Sequence, residues 1–150
     1  MSQLLSLYQS AGPAKFTATL CGMAPYFGSI SPSFTELAPG KAIVDVPFRR
    51  EITNHLGTVH AIALCNAAEL VAGTMTDVSL PAGSQWIPKG MQVKYLAKAK
   101  SDFTAVADGS KIDWSSEGDL DVPVSITDKD GKQVFTAVIT MSVRRAKGPI

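Results

Sequence analysis

Residues 58–72, TVHAIALCNAAELVA, constrain this chain more than any other segment, because they hold one charged side chain, Glu69. A helix that is apolar on all sides is buried in a core, not laid on a surface. The segment therefore needs a wrapping, and the downstream sequence offers strands. "KAIVDVPF", residues 41–48, alternates and is rich in β-branched residues. "GMQVKYLAKAKSDF" alternates over a longer run, with Met91, Val93, Tyr95, Ala97 and Ala99 on one face. "FTAVADG" reads as a short strand, "KIDWSSEGD" as a loop, and "DLDVPVSITD" and "KQVFTAVITMSVRR" as two further strands. Between these two, "KDGK" is a hairpin signal, since Gly131 supplies the positive φ of a tight turn. Pro123 marks its strand as an edge or as bulged there.

Upstream the pattern is helical. "LLSLYQ" is short and amphipathic; after Pro13, suited to a first turn, come Phe16, Leu20 and Met23 at three- and four-residue steps. Pro25 and Gly28 end this arm of about residues 1–28, whose expected role is packing. Helix, strand, helix, then a run of antiparallel strands indicates α+β with one sheet around the helix of residues 58–72. A chain of 150 residues is the size of a single domain, residues 1–150.

Composition narrows the function. Hydrophobic residues are 45% and charged residues 18%, which is globular and not disordered. The net charge of +1, without a basic run, argues against nucleic acid as a partner. "MSQLLSLYQS" lacks the basic start of a signal peptide, and no apolar run reaches the roughly 20 residues that span a bilayer. A cytoplasmic protein with no membrane partner is expected. Cys21 and Cys65 sit among apolar residues without metal-ligand spacing; two buried free thiols and no metal are expected. Cys65 as a nucleophile would lack a local base or helix N-terminus to activate it.

Glu69 is the chemical anomaly. A buried, unpaired carboxylate is costly, so it must be protonated, paired or turned to a cavity. The segment's start adds a second element. Gly57 loosens the backbone, Thr58 is a candidate cap, and the N–H groups of His60, Ala61 and Ile62 lie where an unsatisfied helix N-terminus favours an anion. Such donors stabilise the oxyanion formed on attack at a thioester carbonyl. Asn54, just upstream, can orient a water or a side chain. His60 and Glu69 are nine residues apart, hence about 180° around the helix and more than two turns along it. They meet only if two copies of the helix run side by side and antiparallel, as in a two-fold dimer with two equivalent shared sites.

"NHLGTVHAIALCNAAE" resembles the signature of hotdog-fold thioesterases of the phenylacetate-degradation type: Asn, Gly, two residues, His-Gly-Gly, and an acid nine residues after the His. Asn54, Gly57, His60 and Glu69 fall on that pattern. "MQVKYLAKAKSDFTAVADG" and "DKDGKQVFTAVITMSVRR" are similar to a strand and the closing hairpin of the same family. With "HA" for "HG", the chain is closer to an uncharacterised thioesterase-like, DUF4442-like branch, over roughly residues 35–145. The resemblance implies a hotdog fold, a curved antiparallel sheet around one long helix, in homodimers that often pair into tetramers. It implies hydrolysis of acyl-CoA or a related thioester without a cofactor. Glu69 would be general base or nucleophile, the Ala61 N–H would polarise the carbonyl, Asn54 would place water or substrate, and His60 would shape the helix start. Gly57 and Ile62 would border the substrate. Ala61 and Ile62 replace the Gly-Gly pair, which leaves the N–H groups and narrows the approach. Lys89 falls near a Ser or Thr that assists in some members, and can contact substrate or be solvated. Lys98, with Lys94, Lys100, Arg49 and Arg50, is a candidate for CoA phosphates. His55 is expected at the surface, and loops 25–40 and 108–120 at the pocket rim. A non-catalytic hotdog module binding acyl-CoA or a small apolar ligand is the alternative. A hydratase is a third reading, and it wants an Asp and a His together on the loop before the helix; "REITNHLG" lacks that arrangement.

Overall fold

The structure is a computed structural model that describes residues 2–145. Helices α1 (Gln3–Ala11), α2 (Pro13–Met23) and α3 (Pro25–Gly28) open the chain. Ser2 caps α1 by accepting the Leu5 N–H, and Gly12, at φ +86°, makes the turn into Pro13. Phe16 and Leu20 are buried while Met23 is exposed. The Phe16 ring lies edge-on between Tyr8 and Phe34, which ties the arm to the first strand.

Strands β1 (Ser33–Ala38) and β2 (Lys41–Val46) follow, then a 3-10 turn (Arg50–Ile52) and the long helix α4 (Ala61–Ser79). Strands β3 (Gln85–Tyr95), β4 (Phe103–Asp108), β5 (Gly118–Asp128) and β6 (Gln133–Arg144) complete one antiparallel sheet in the order β1-β2-β4-β5-β6-β3. Six strands laid flat are roughly 24 Å across, and a helix is only about 10 Å wide. Yet α4 packs against all six, so the sheet curls around it. This is the expected α+β hotdog arrangement. Leu64, Leu70, Val71 and Met75 of α4 interlock in the core with Phe103, Ile126, Phe135 and Ile139 of the sheet. By length and hydropathy α4 could cross a membrane, but 72% of that apolar window is buried inside the protein.

Three differences from the sequence expectations have local causes. The first is β1, inside the segment expected to be a rim loop. Its alternation is broken by a bulge between Phe34 and Glu36, so its two buried residues, Phe34 and Leu37, are three apart instead of two. The second is the extent of α4, which begins three residues later than expected and continues seven further. Gly73, Thr74 and Thr76 resemble terminators. However, the Thr74 and Thr76 hydroxyls donate to the carbonyls of Leu70 and Ala72, which satisfies them inside the helix. A Cβ at Gly73 would stand 3.0 Å from the ring of Trp86, so the glycine makes room for that side chain.

The third is β3, which starts at Gln85 and ends at Tyr95. Pro88 and Gly90 read as breakers, but β3 is an edge strand, where a missing N–H is tolerated, and a bulge between them leaves Lys89 unpaired. The inserted residue flips the side-chain parity. Trp86 and Pro88 face α4 before the bulge, and Met91, Val93 and Tyr95 face it after. Ala97 and Ala99 lie beyond the strand, although Ala99 is buried. Pro123 stands at an edge as expected, where β5 has outrun β4 and keeps β6 as its neighbour; the bulge of β5 is at Ile126/Thr127. The β5–β6 hairpin turns as expected, with Gly131 at φ +82° and Asp128 accepting the N–H groups of Asp130 and Lys132.

Candidate active site

The approach to α4 is held by Asn54. Its side-chain oxygen accepts the N–H groups of Leu56 and Thr58, its amide NH₂ donates to the Thr58 hydroxyl, and its backbone N–H donates to the Thr58 carbonyl. Gly57, at φ +76°, closes the loop by donating to the Asn54 carbonyl. The Asn54 amide is thus spent on the loop. Asn54→Ala should cost about 2 kcal/mol of stability, since a half-buried set of donors loses its acceptor. Urea unfolding measures this; unchanged stability with lost activity would instead assign the amide to the substrate.

Two backbone bonds then aim the helix. The Val59 N–H donates to the Ala99 carbonyl at 2.8 Å and the His60 N–H to the Ile52 carbonyl at 2.7 Å. Thr58 is not the cap. His60 is, with φ −62° and ψ 136°, and its Nδ1 accepts the Ile62 N–H at 3.0 Å. The ring must therefore present an unprotonated Nδ1. His60→Ala should destabilise by about 1 kcal/mol, and His60→Asn, another capping side chain, should restore most of it. Thermal melts decide this, and equal losses in both variants would refute the capping role.

Of the three N–H groups expected at the helix start, His60 and Ile62 are thus engaged within the chain. The N–H of Ala61, first residue of the helix, has no acceptor among the described residues. One free donor stands on the helix axis with the positive end of the dipole behind it.

Glu69 is half-buried and has neither a hydrogen-bond nor an ion-pair partner among the described residues. It lies on a stripe of α4 with Ile62 and Cys65, the side the core leaves open. Ile62 is 50% exposed there, and Tyr95 on β3 is 56% exposed although it faces α4. The Cys65 thiol lies 3.6 Å from the Tyr95 hydroxyl, and this contact pushes the phenol's pKa above its ordinary value. Both cysteines are half-buried and unbonded to one another, not fully buried as expected. Burial alone pushes the Cys21 thiol up.

The rise from Ala61 to Glu69 is about 12 Å at 1.5 Å per residue. Within one chain, the free donor and the carboxylate do not bracket one carbonyl.

The remaining candidates scatter. Lys89, pushed out by the bulge, pairs with Asp119 at 2.7 Å across β6. Arg49 donates to the Ser29 carbonyl and lies 3.7 Å from Glu51. His55 is exposed. Lys94, Lys98, Lys100 and Arg50 are also exposed, and Lys98 and Lys100 flank the residue that binds Val59, so they stand by the start of α4. Loop 108–120 contributes nothing to the cavity beside Glu69, and of segment 25–40 only Phe27 does.

Residues 12–143 match the family described as Domain of unknown function (DUF4442). The chain belongs to the DUF4442 family. No curated protein matches it. The crystal structure of a genomics target is 61% identical to this DUF4442 chain, with 96% of this chain and 97% of that one covered at a TM-score of 0.88. A thioesterase from Haemophilus influenzae shares the fold at 14% identity, TM-score 0.77, covering 89% and 92%. A thioesterase family protein from Silicibacter pomeroyi does so at 16% identity, TM-score 0.75, covering 86% and 96%.

Sequence reasoning missed one part of the DUF4442 site. A cavity of about 250 Å³ opens beside Glu69, walled by Leu4, Leu20 and Phe27 from the arm and by Trp86 and Pro88 from β3. The Trp86 indole N–H donates to Asp77 at 3.0 Å, which fixes its ring against Gly73. The signal was the small residue in mid-helix followed by a tryptophan, and it is readable only once both elements are known to touch.

Proposed function

We propose that this protein hydrolyses acyl-CoA or a related thioester, in a homodimer whose two sites are each built from both chains. One observation carries the reading: a single helix presents a free N–H at its start and an unpartnered carboxylate on its open side, too far apart to serve one substrate within a chain. Two copies of α4, side by side and antiparallel, bring Ala61 of each chain to Glu69 of the other. The open seam favours such pairing. Its apolar side chains are half-exposed, and the β3 edge beside it has one strand neighbour. The likeness to solved thioesterases supports the reading at the level of the fold.

In this reading the Ala61 N–H holds the thioester oxygen and stabilises the oxyanion as it forms. Glu69 takes a proton from water as the water attacks, or attacks the carbonyl itself to form an anhydride that water then hydrolyses. The thiolate of CoA leaves and is protonated, and the acid product departs. Gly57 and Ile62 border the approach, and Lys98 and Lys100 stand where a nucleotide phosphate is received. Lys89, already paired with Asp119, has no part in this scheme. The test is release of free thiol from a panel of acyl-CoAs, followed with a thiol reagent, on protein whose mass in solution is measured in parallel. Hydrolysis by a dimer is the expected result. A monomer, or binding of acyl-CoA without thiol release, overturns it.

A further inference from the structure

We infer that the cavity beside Glu69 is an acyl-chain pocket built within one chain, and that it selects apolar acyl groups of medium length; this rests on the hydrolase reading above. The walls are the argument. Leu4, Leu20 and Phe27 come from the helical arm, and Leu70 and Gly73 from α4. Glu69 is the sole ionisable side chain in the lining. So apolar a lining takes apolar ligands. It also suits the neutral carbonyl end of a thioester better than a free fatty acid, whose carboxylate Glu69 repels. An alkyl chain seated there ends at the residue assigned the chemistry, and the acid product is expelled by the same charge.

Size sets the class. An apolar cavity of about 150 Å³ holds the six carbons of benzene, so about 250 Å³ holds roughly eight to ten carbons. Trp86 sets the limit. Its ring is pinned by Asp77 and seated on Gly73, and with Leu4 it stands between this cavity and a neighbouring depression of about 370 Å³ along Asp77, Leu80 and Ser84.

The experiment compares kcat/KM for acyl-CoAs from butyryl to palmitoyl. Octanoyl or decanoyl should be preferred in the parent. Trp86→Ala, which opens the floor toward the depression, should move the optimum to longer chains. Leu4→Trp, at a half-buried position on the rim of the arm, should lower the decanoyl-to-butyryl ratio at least tenfold. If both variants keep the parental length profile, the pocket assignment is overturned while the hydrolase reading stands. A second readout is independent of catalysis. Trp114→Phe leaves Trp86 as the sole tryptophan. Its fluorescence should then be quenched saturably by ω-bromodecanol and not by bromoethanol. Such quenching without hydrolysis of any thioester would remove the hydrolase reading and keep the pocket; equal quenching by both alcohols would remove the pocket.

Discussion

Glu69→Gln is expected to lower kcat for thioester hydrolysis by a factor of about 10²–10⁴, the usual contribution of a positioned general base. The substitution is nearly isosteric, and the parent carboxylate has no hydrogen-bond or ion-pair partner to lose among the described residues. Folding stability should therefore change little. Stabilisation of the variant by added CoA should persist, since in the proposed reading the nucleotide is received at the start of α4 and not at the carboxylate. Thiol release, thermal melts with and without CoA, and solution mass together test this. A variant that hydrolyses at the parental rate sinks the assignment of Glu69. One that loses activity only because it unfolds shows that the carboxylate is structural. Glu69→Asp, shorter by one methylene, should be intermediate, because the acid is kept while its reach is not.

What was legible in the sequence follows a physical division. A helix nearly free of charge demands a wrapping, so α4 and the curled sheet could be read from residues 58–72 and the alternating segments after them. Spacing along one element was also legible. Glu69 and Ala61 occupy the spacing along α4 that the pattern gave them, because a helix converts sequence distance directly into rotation and rise. What could not be read depends on contacts between elements distant in the chain. The bulge at Lys89 moves Trp86 to the helix side, and nothing local to "QWIPKG" says so. Gly73 reads as a helix end until Trp86 is seen in the space a Cβ would take. Phe34 and Leu37 hide a strand because a bulge replaces period two by period three. Asn54 was read for its amide chemistry, and the structure shows that chemistry closing a loop. The cap was misplaced by two residues for a related reason. Thr58 has the better capping side chain in general, but its hydroxyl is already tied to Asn54, which leaves the Nδ1 of His60 to do the capping.

The Ala61 N–H can be removed almost alone. Ala61 is the first residue of α4, where proline is favoured because no intrahelical bond is lost and its fixed φ suits the helix. The residue before a proline must be extended, and His60 already is, at φ −62° and ψ 136°. Ala61→Pro should therefore fold, keep the His60 cap, and lose the one free donor, with kcat falling about 10²–10³-fold. The pair of variants then tests who shares a site with whom. Homodimers of Glu69→Gln lack the acid at both sites, and homodimers of Ala61→Pro lack the donor at both. In a mixed dimer one site carries both lesions and the other carries neither. Equal amounts exchanged to equilibrium place half of the molecules in mixed dimers with one intact site each, so activity should return to about a quarter of the parent. Co-expression with two affinity tags isolates the mixed species, and its activity per dimer should be half that of the parent. If instead each site lay within a single chain, the mixed dimer would hold two differently broken sites and stay inactive. That result would separate Ala61 from Glu69 and leave the geometry of α4 without its chemistry.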